Sequence, residues 1–156
     1  MTVTKIFLKP YLSEWATAKW WDEKAQAVRL PSDGYLYMRL YEAMNKRTGA
    51  VDGNGVGNLT LCLPERGGGK DPRSHRYVTQ EGRQRLEDAF SQMFWAEVYD
   101  EFDYRHYIAG VKYKDIAIDL VRRWELTGIS EEGLLKSYRR WRGKQRCQMG
   151  KRYVHR

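Results

Sequence analysis

The sequence predicts an α+β chain: a small mixed α/β unit at the N-terminus, then a helical C-terminal part that ends in a helix-turn-helix. Three observations carry this expectation. Short β-branched and alternating stretches are confined to the first 64 residues. Glycine-rich segments at 48–57 and 66–73 interrupt the chain. From residue 79 onward, apolar residues recur at the three- and four-residue spacing of a helical face. The expected boundaries are a mixed unit over 1–66, a Gly-rich linker over 67–78 and a helical region over 79–156. The last contains the helix-turn-helix (113–146) and a basic tail.

Residues 3–9 are rich in β-branched and aromatic types and stop at Pro10, which suits a strand running into a turn. Residues 11–21 place Leu12, Trp15 and Lys19 at helical spacing. A short strand is expected at 27–30, closed by Pro31, and Ser32 or Asp33 is expected to cap a helix reaching about Lys46. That helix carries Leu36, Leu40, Tyr41 and Met44 on one face. Residues 58–63 alternate, with Leu59, Leu61 and Leu63 on one side and Thr60 and Cys62 on the other, the period of a half-buried strand. After the second Gly-rich stretch, Thr79 is an N-cap candidate with Glu81 in the first turn. Leu86, Phe90, Met93, Phe94, Val98 and Phe102 then form a broad apolar face on a helix reaching about His106.

Charge locates the functional end of the molecule. Residues 1–109 hold 15 Lys/Arg and 15 Asp/Glu, whereas residues 110–156 hold 13 and 5, so the entire excess of +8 lies in the last 47 residues. From Lys136 onward nine basic residues occur and no acidic one. A chain that meets a polyanion at one end has this footprint; a basic tail exposed to solvent with no specific partner is the plainer alternative. No apolar run approaches the ~20 residues needed to span a bilayer, and the N-terminus lacks a signal-peptide pattern. Two free thiols at Cys62 and Cys147 fit a soluble cytoplasmic protein.

Within the basic region a helix over 113–126 carries Ile116, Ala117, Leu120, Val121 and Trp124 on one face. Residues 127–130, Thr-Gly-Ile-Ser, read as a tight helix–helix connection: Gly128 takes the left-handed conformation that ends a helix, Ile129 plugs the space between helices, and Ser130 caps the next one. Glu131 and Glu132 follow in the first turn, where the helix dipole favours them. The last helix, to about Arg146, sorts at 100° per residue into an apolar seam of Leu134, Leu135, Tyr138 and Trp141 and an opposite basic side of Lys136, Arg140 and Lys144. Arg139, Arg142 and Arg146 line the flank. A duplex requires that combination, cations against phosphates and Arg against guanine edges.

The run Ile116-Ala117, Gly128-Ile129-Ser130 and 134–141 (Leu-Leu-Lys-Ser-Tyr-Arg-Arg-Trp) resembles the helix-turn-helix of transposases and of phage activators of the Mor type. The resemblance covers about 30 residues; it implies that Ala117 permits close helix packing and that Lys136, Ser137, Arg139 and Arg140 occupy recognition-helix positions. The chain as a whole is similar in style to small proteins of prophages and mobile elements.

Signals for catalysis are weak. Gly67-Gly68-Gly69-Lys70 is followed by Asp71 rather than Ser/Thr, and Pro64 stands where a phosphate loop wants glycine, so a mobile loop is expected. His75, His106 and His155 lack partners at metal-ligand spacing, and Asp100, Glu101 and Asp103 are expected on a solvated helix face. Clustered aromatics (Trp15, Trp20, Trp21, Tyr35, Tyr37, Tyr41) suit a core, or else a stacking surface for single-stranded bases. The expectation is a non-catalytic double-stranded DNA-binding protein without cofactor or metal, a transcriptional regulator or mobile-element accessory factor, and a candidate two-fold dimer. In it Lys136, Ser137, Arg139 and Arg140 enter the major groove, Lys144, Arg146, Lys151 and Arg152 hold phosphates, and Arg142 belongs to the same DNA-binding set. An RNA or single-strand binder and a protein-interaction adaptor with a basic tail are the alternatives.

Overall fold

The structure, a computed structural model, describes residues 2–46, 56–66 and 69–154, and for 151–154 the backbone alone. Most of the first Gly-rich stretch, and Gly67 and Gly68 of the second, lie outside the described residues. The fold is α+β, with the strands in the N-terminal part and the C-terminal part helical. The chain falls into two compact units, Met1–Phe94 and Trp95–Arg156. Their junction lies inside one long helix, well beyond the stretch at 67–78 that the sequence marks as a linker.

The first unit is built on a four-stranded sheet. Strand β1 (Val3–Ile6) pairs antiparallel with β5 (Leu59–Cys62), β5 pairs parallel with β3 (Ala27–Val28), and β3 pairs antiparallel with β2 (Trp21–Asp22). The strand expected over 58–63 is therefore central rather than half-buried: Leu59, Leu61 and Leu63 are buried, and so is Cys62 on the other side. Helix α1 (Pro10–Trp20) starts with proline at its first position, where the missing N–H costs nothing, and buries Leu12, Trp15 and Ala16. Trp15 is fully buried and meets Trp20, Phe90 and Phe94 edge-on at 5.2–6.4 Å between ring centroids. This is a core packing of aromatics, with rings in the T-shaped arrangement that their quadrupoles favour.

Helix α2 (Tyr35–Ala43) begins later than the sequence suggests. Its N-cap is Gly34, and no side chain caps it, so neither Ser32 nor Asp33 plays the expected role. The helix stops at Met44, where the chain turns extended as β4 (Met44–Asn45) and pairs with β6 (Tyr77–Val78) in a second, two-stranded ribbon. At the other end of the Gly-rich stretch Lys70 is fixed. Its Nζ donates to the carbonyls of Tyr41 (3.1 Å) and Glu42 (3.0 Å) at the C-terminus of α2, and its backbone N–H donates to Tyr41 Oη at 3.0 Å. The lysine of the glycine-lysine string thus satisfies the last carbonyls of a helix.

Helix α3 (Gln80–Asp103) starts where the sequence places it: Thr79 Oγ1 accepts the Gly82 N–H at 3.0 Å, and Glu81 lies in the first turn. Leu86, Phe90, Phe94, Val98 and Phe102 are buried along it, whereas Met93 is exposed. The helix then widens into a π-helical turn, Tyr104–Ile108, closed at Gly110 with φ +70°. Helices α4 (Tyr113–Arg123) and α5 (Glu131–Val154) complete the second unit. No helix among the described residues is long and apolar enough to cross a membrane.

Candidate nucleic-acid interface

The connection between α4 and α5 sets the geometry of the basic helix. It differs from the sequence expectation at its first step. Helix α4 ends at Arg123, and the left-handed residue is Glu125, at φ +50°; Gly128 is not among the residues with positive φ. Leu126 N–H donates to Val121 O at 2.9 Å and Glu125 N–H to Arg122 O at 3.2 Å, the paired bonds of a Schellman termination. Leu126 is buried behind it. Burial of that leucine fixes the chain reversal, so the left-handed conformation falls on whichever residue precedes it.

The second step follows expectation. Ser130 Oγ accepts the Gly133 N–H at 3.0 Å, and Glu131 and Glu132 occupy the first turn of α5. A Cβ at position 133 would lie 3.0 Å from Ile129 Cγ1, so the absent side chain lets Ile129 fold back over the helix start. Ile116, Ala117, Leu120 and Trp124 of α4 are buried, as are Leu134 and Tyr138 of α5.

Tyr138 is the centre of the second unit. Its ring stacks on Phe102 at 4.8 Å and lies 5.4 Å from Tyr113 and 6.0 Å from Trp141, while Trp141 stacks on Tyr99 at 4.6 Å. Burial pushes the Tyr138 phenol far above its ordinary range, reinforced by its hydrogen bond to Asp103. His106, which lacks metal-ligand partners in sequence, is half-buried, stacked on Tyr113 at 3.8 Å with Nδ1 2.9 Å from Val111 O.

The acidic residues set aside as a solvated face are largely engaged inside the unit. Asp103 Oδ1 receives the Tyr138 hydroxyl at 2.6 Å and lies 3.4 Å from Arg142 Nη1. Glu101 lies 3.7 Å from both Arg105 and Arg123. Asp119 takes Arg105 at 2.6 Å and Arg123 at 2.5 Å, and the Arg105 hydrogen bond, with help from Arg123, holds its carboxyl below the usual carboxylate range. Glu101–Arg105 and Asp119–Arg123 are i,i+4 neighbours that the sequence spacing displays, whereas Glu101–Arg123, Asp119–Arg105 and Asp103–Arg142 join different elements and depend on the packing of the unit.

The basic residues of α5 separate accordingly. Lys136, Arg139, Arg140 and Lys144 are exposed, and none has an ion-pair partner among the described residues. Arg142 turns inward: it pairs with Asp103, and its guanidinium lies over the Tyr107 ring at 4.8 Å. Arg146 is exposed and reaches the Tyr107 hydroxyl. Ser137, grouped with the base-reading residues in the sequence, is half-buried, its hydroxyl 2.8 Å from Tyr99 Oη. For Lys151 and Arg152 only the helical backbone is described.

Beside this row a groove of about 590 Å³ opens between α4 and α5, lined by Lys114, Ala117, Leu135, Lys136, Arg139 and the pair Glu131 and Glu132. Its two acids stand at the start of α5, so an approaching phosphate is repelled at the first turn and attracted from Lys136 onward. No group of three or more His, Cys, Asp or Glu among the described residues is arranged to hold a metal ion. Cys62 is buried and Cys147 exposed, and neither forms a disulfide. Comparison with protein families, with characterised proteins and with solved structures finds no match for this chain.

Proposed function

We propose that the second unit binds double-stranded DNA and performs no chemistry on it, with α4 and α5 as a helix-turn-helix. The observation that carries this reading is the sorting of charge. Glu101, Asp103 and Asp119 are occupied by Arg105, Arg123 and Arg142, while Lys136, Arg139, Arg140 and Lys144 stand on one outward side of one helix with no ion-pair partner among the described residues. A basic face without an ion-pair partner among the described residues favours an external polyanion, and a helix is an element that the major groove of B-DNA admits. Arg139 and Arg140 are the candidates for base edges, and Lys136 and Lys144 for phosphates. The likeness to transposase and Mor-type motifs points the same way, toward a cytoplasmic regulator or accessory factor of a mobile element.

Single-strand binding through Trp20 and Trp21 has less support, because Trp20 is half-buried against Trp15 and Trp21 alone is substantially exposed. The test is a salt series of duplex binding with the full chain and with the Arg139→Glu/Arg140→Glu variant. A linear fall of log affinity with log salt, and loss of most affinity in the variant, is the expected result. Equal binding by chain and variant sinks the proposal.

A further inference from the structure

The two halves of α5 are built differently. Up to Arg142 the helix is anchored: Leu134 and Tyr138 are buried, Leu135, Trp141 and Arg142 half-buried. From Gly143 to Gly150 every described residue is exposed except Gln145, which is half-buried. An extension of a helix without a packed face is marginal in water, since the ordering of its backbone is not offset by burial.

Three features of the sequence weaken this half further. Gly143 and Gly150 are among the poorest helix formers, and the structure gives neither a steric reason to be glycine: nothing lies within 4 Å of a Cβ built at either position. Arg140 and Lys144, and likewise Arg142 and Arg146, stand four residues apart, where like charges repel. No acid follows Glu132, so no i,i+4 acid–base pair is available to residues 143–150. In the free chain the helix past Arg142 therefore has little to hold it beyond the contact of Arg146 with Tyr107 and the partial burial of Gln145.

A duplex supplies one. Laid along the phosphates, Lys144 and Arg146 exchange repulsion from Arg140 and Arg142 for attraction, and the helical form holds them in fixed positions. We propose that residues 143–150 exchange between helix and coil in the free chain and are drawn into helix by the duplex. The outer half of α5 is thus an element that folds on the DNA, and its glycines set the affinity by taxing the competent form. This inference rests on the duplex-binding reading.

The test is amide hydrogen exchange, read residue by residue on the full chain alone and with a short duplex, together with duplex affinity of Gly143→Ala/Gly150→Ala. Expected are fast exchange at 144–149 in the free chain, beside protected amides at 134–141, and protection of 144–149 on adding duplex. The double-alanine variant binds roughly five- to twentyfold tighter, from the helix propensity of two glycines replaced. Free-chain protection at 144–149 equal to that at 134–141 overturns the inference, as does an unchanged affinity of the double-alanine variant. If the chain binds duplex while 144–149 stay unprotected, the inference fails and duplex binding stands. If the chain binds no duplex at all, both fail.

Discussion

The Tyr138 hydroxyl donates to Asp103 Oδ1 at 2.6 Å, from a ring only 1% exposed. The bond ties α5 to the end of α3 and takes up one oxygen of a carboxylate that is 32% exposed. Tyr138→Phe keeps the ring packing and removes the donor. A loss of about 1–2 kcal/mol in unfolding free energy is expected, as for a hydrogen bond to a charged group that water partly replaces. Urea denaturation of the two proteins measures it.

Burial of the same phenol, reinforced by its bond to Asp103, gives the fold an alkaline limit. The Tyr138 phenol is raised in the native state above the value of about 10 it has when unfolded. Its contribution is complete below that unfolded value and is lost as pH rises beyond it, because the unfolded phenol releases its proton first. Unfolding free energy measured across the alkaline range should fall for the native sequence and fall less steeply for Tyr138→Phe. Identical slopes would remove Tyr138 as the cause.

The two helix terminations in this unit make opposite predictions for glycine. Glu125 holds φ +50° with a side chain, so Glu125→Gly relieves strain and should stabilise the protein by about 1 kcal/mol. Gly110 holds φ +70° with open space around it, so Gly110→Ala should destabilise by about 1 kcal/mol through backbone conformation alone. Thermal melts of the two variants, shifting in opposite directions, would establish both assignments.

Ser130 caps the helix that carries the basic face, and Ser130→Ala should cost about 1 kcal/mol. If α5 is the DNA-contacting element, the same variant should weaken duplex binding less than the charge reversal at Arg139 and Arg140, since its exposed cations remain. Paired stability and binding measurements check the order.

Lys70 is held by the carbonyls at the end of α2, so Lys70→Ala should lower stability by about 0.5–1 kcal/mol. Nucleotides should leave the melting temperature of the native protein unchanged. A nucleotide-dependent rise in melting temperature would return the Gly-Gly-Gly-Lys string to the phosphate-binding reading.

Local signals account for what the sequence made legible. The caps at Thr79 and Ser130 lie within three residues of the N–H groups they serve, and the buried stripe from Leu86 to Phe102 follows a fixed period. Misreadings arose where a distant contact outweighed a local preference. Glycine is the better left-handed residue, yet burial of Leu126 assigns that role to Glu125. Asp103 has the spacing of a solvated acid, but Tyr138 lies 35 positions away in sequence and within a hydrogen bond in space. The short strands β2, β4 and β6, two residues each, are too brief for periodicity to register.

The basic row on α5 also bears on how copies of this chain meet one another. Two molecules turning Lys136, Arg139, Arg140 and Lys144 toward each other repel at any distance inside the Debye length, about 8 Å at physiological salt. Those two faces therefore do not form a contact between copies of the chain. If the chain binds a duplex as proposed, a two-fold assembly on it must draw its protein–protein contact from some other surface, and the phosphates screen the repulsion between the two rows.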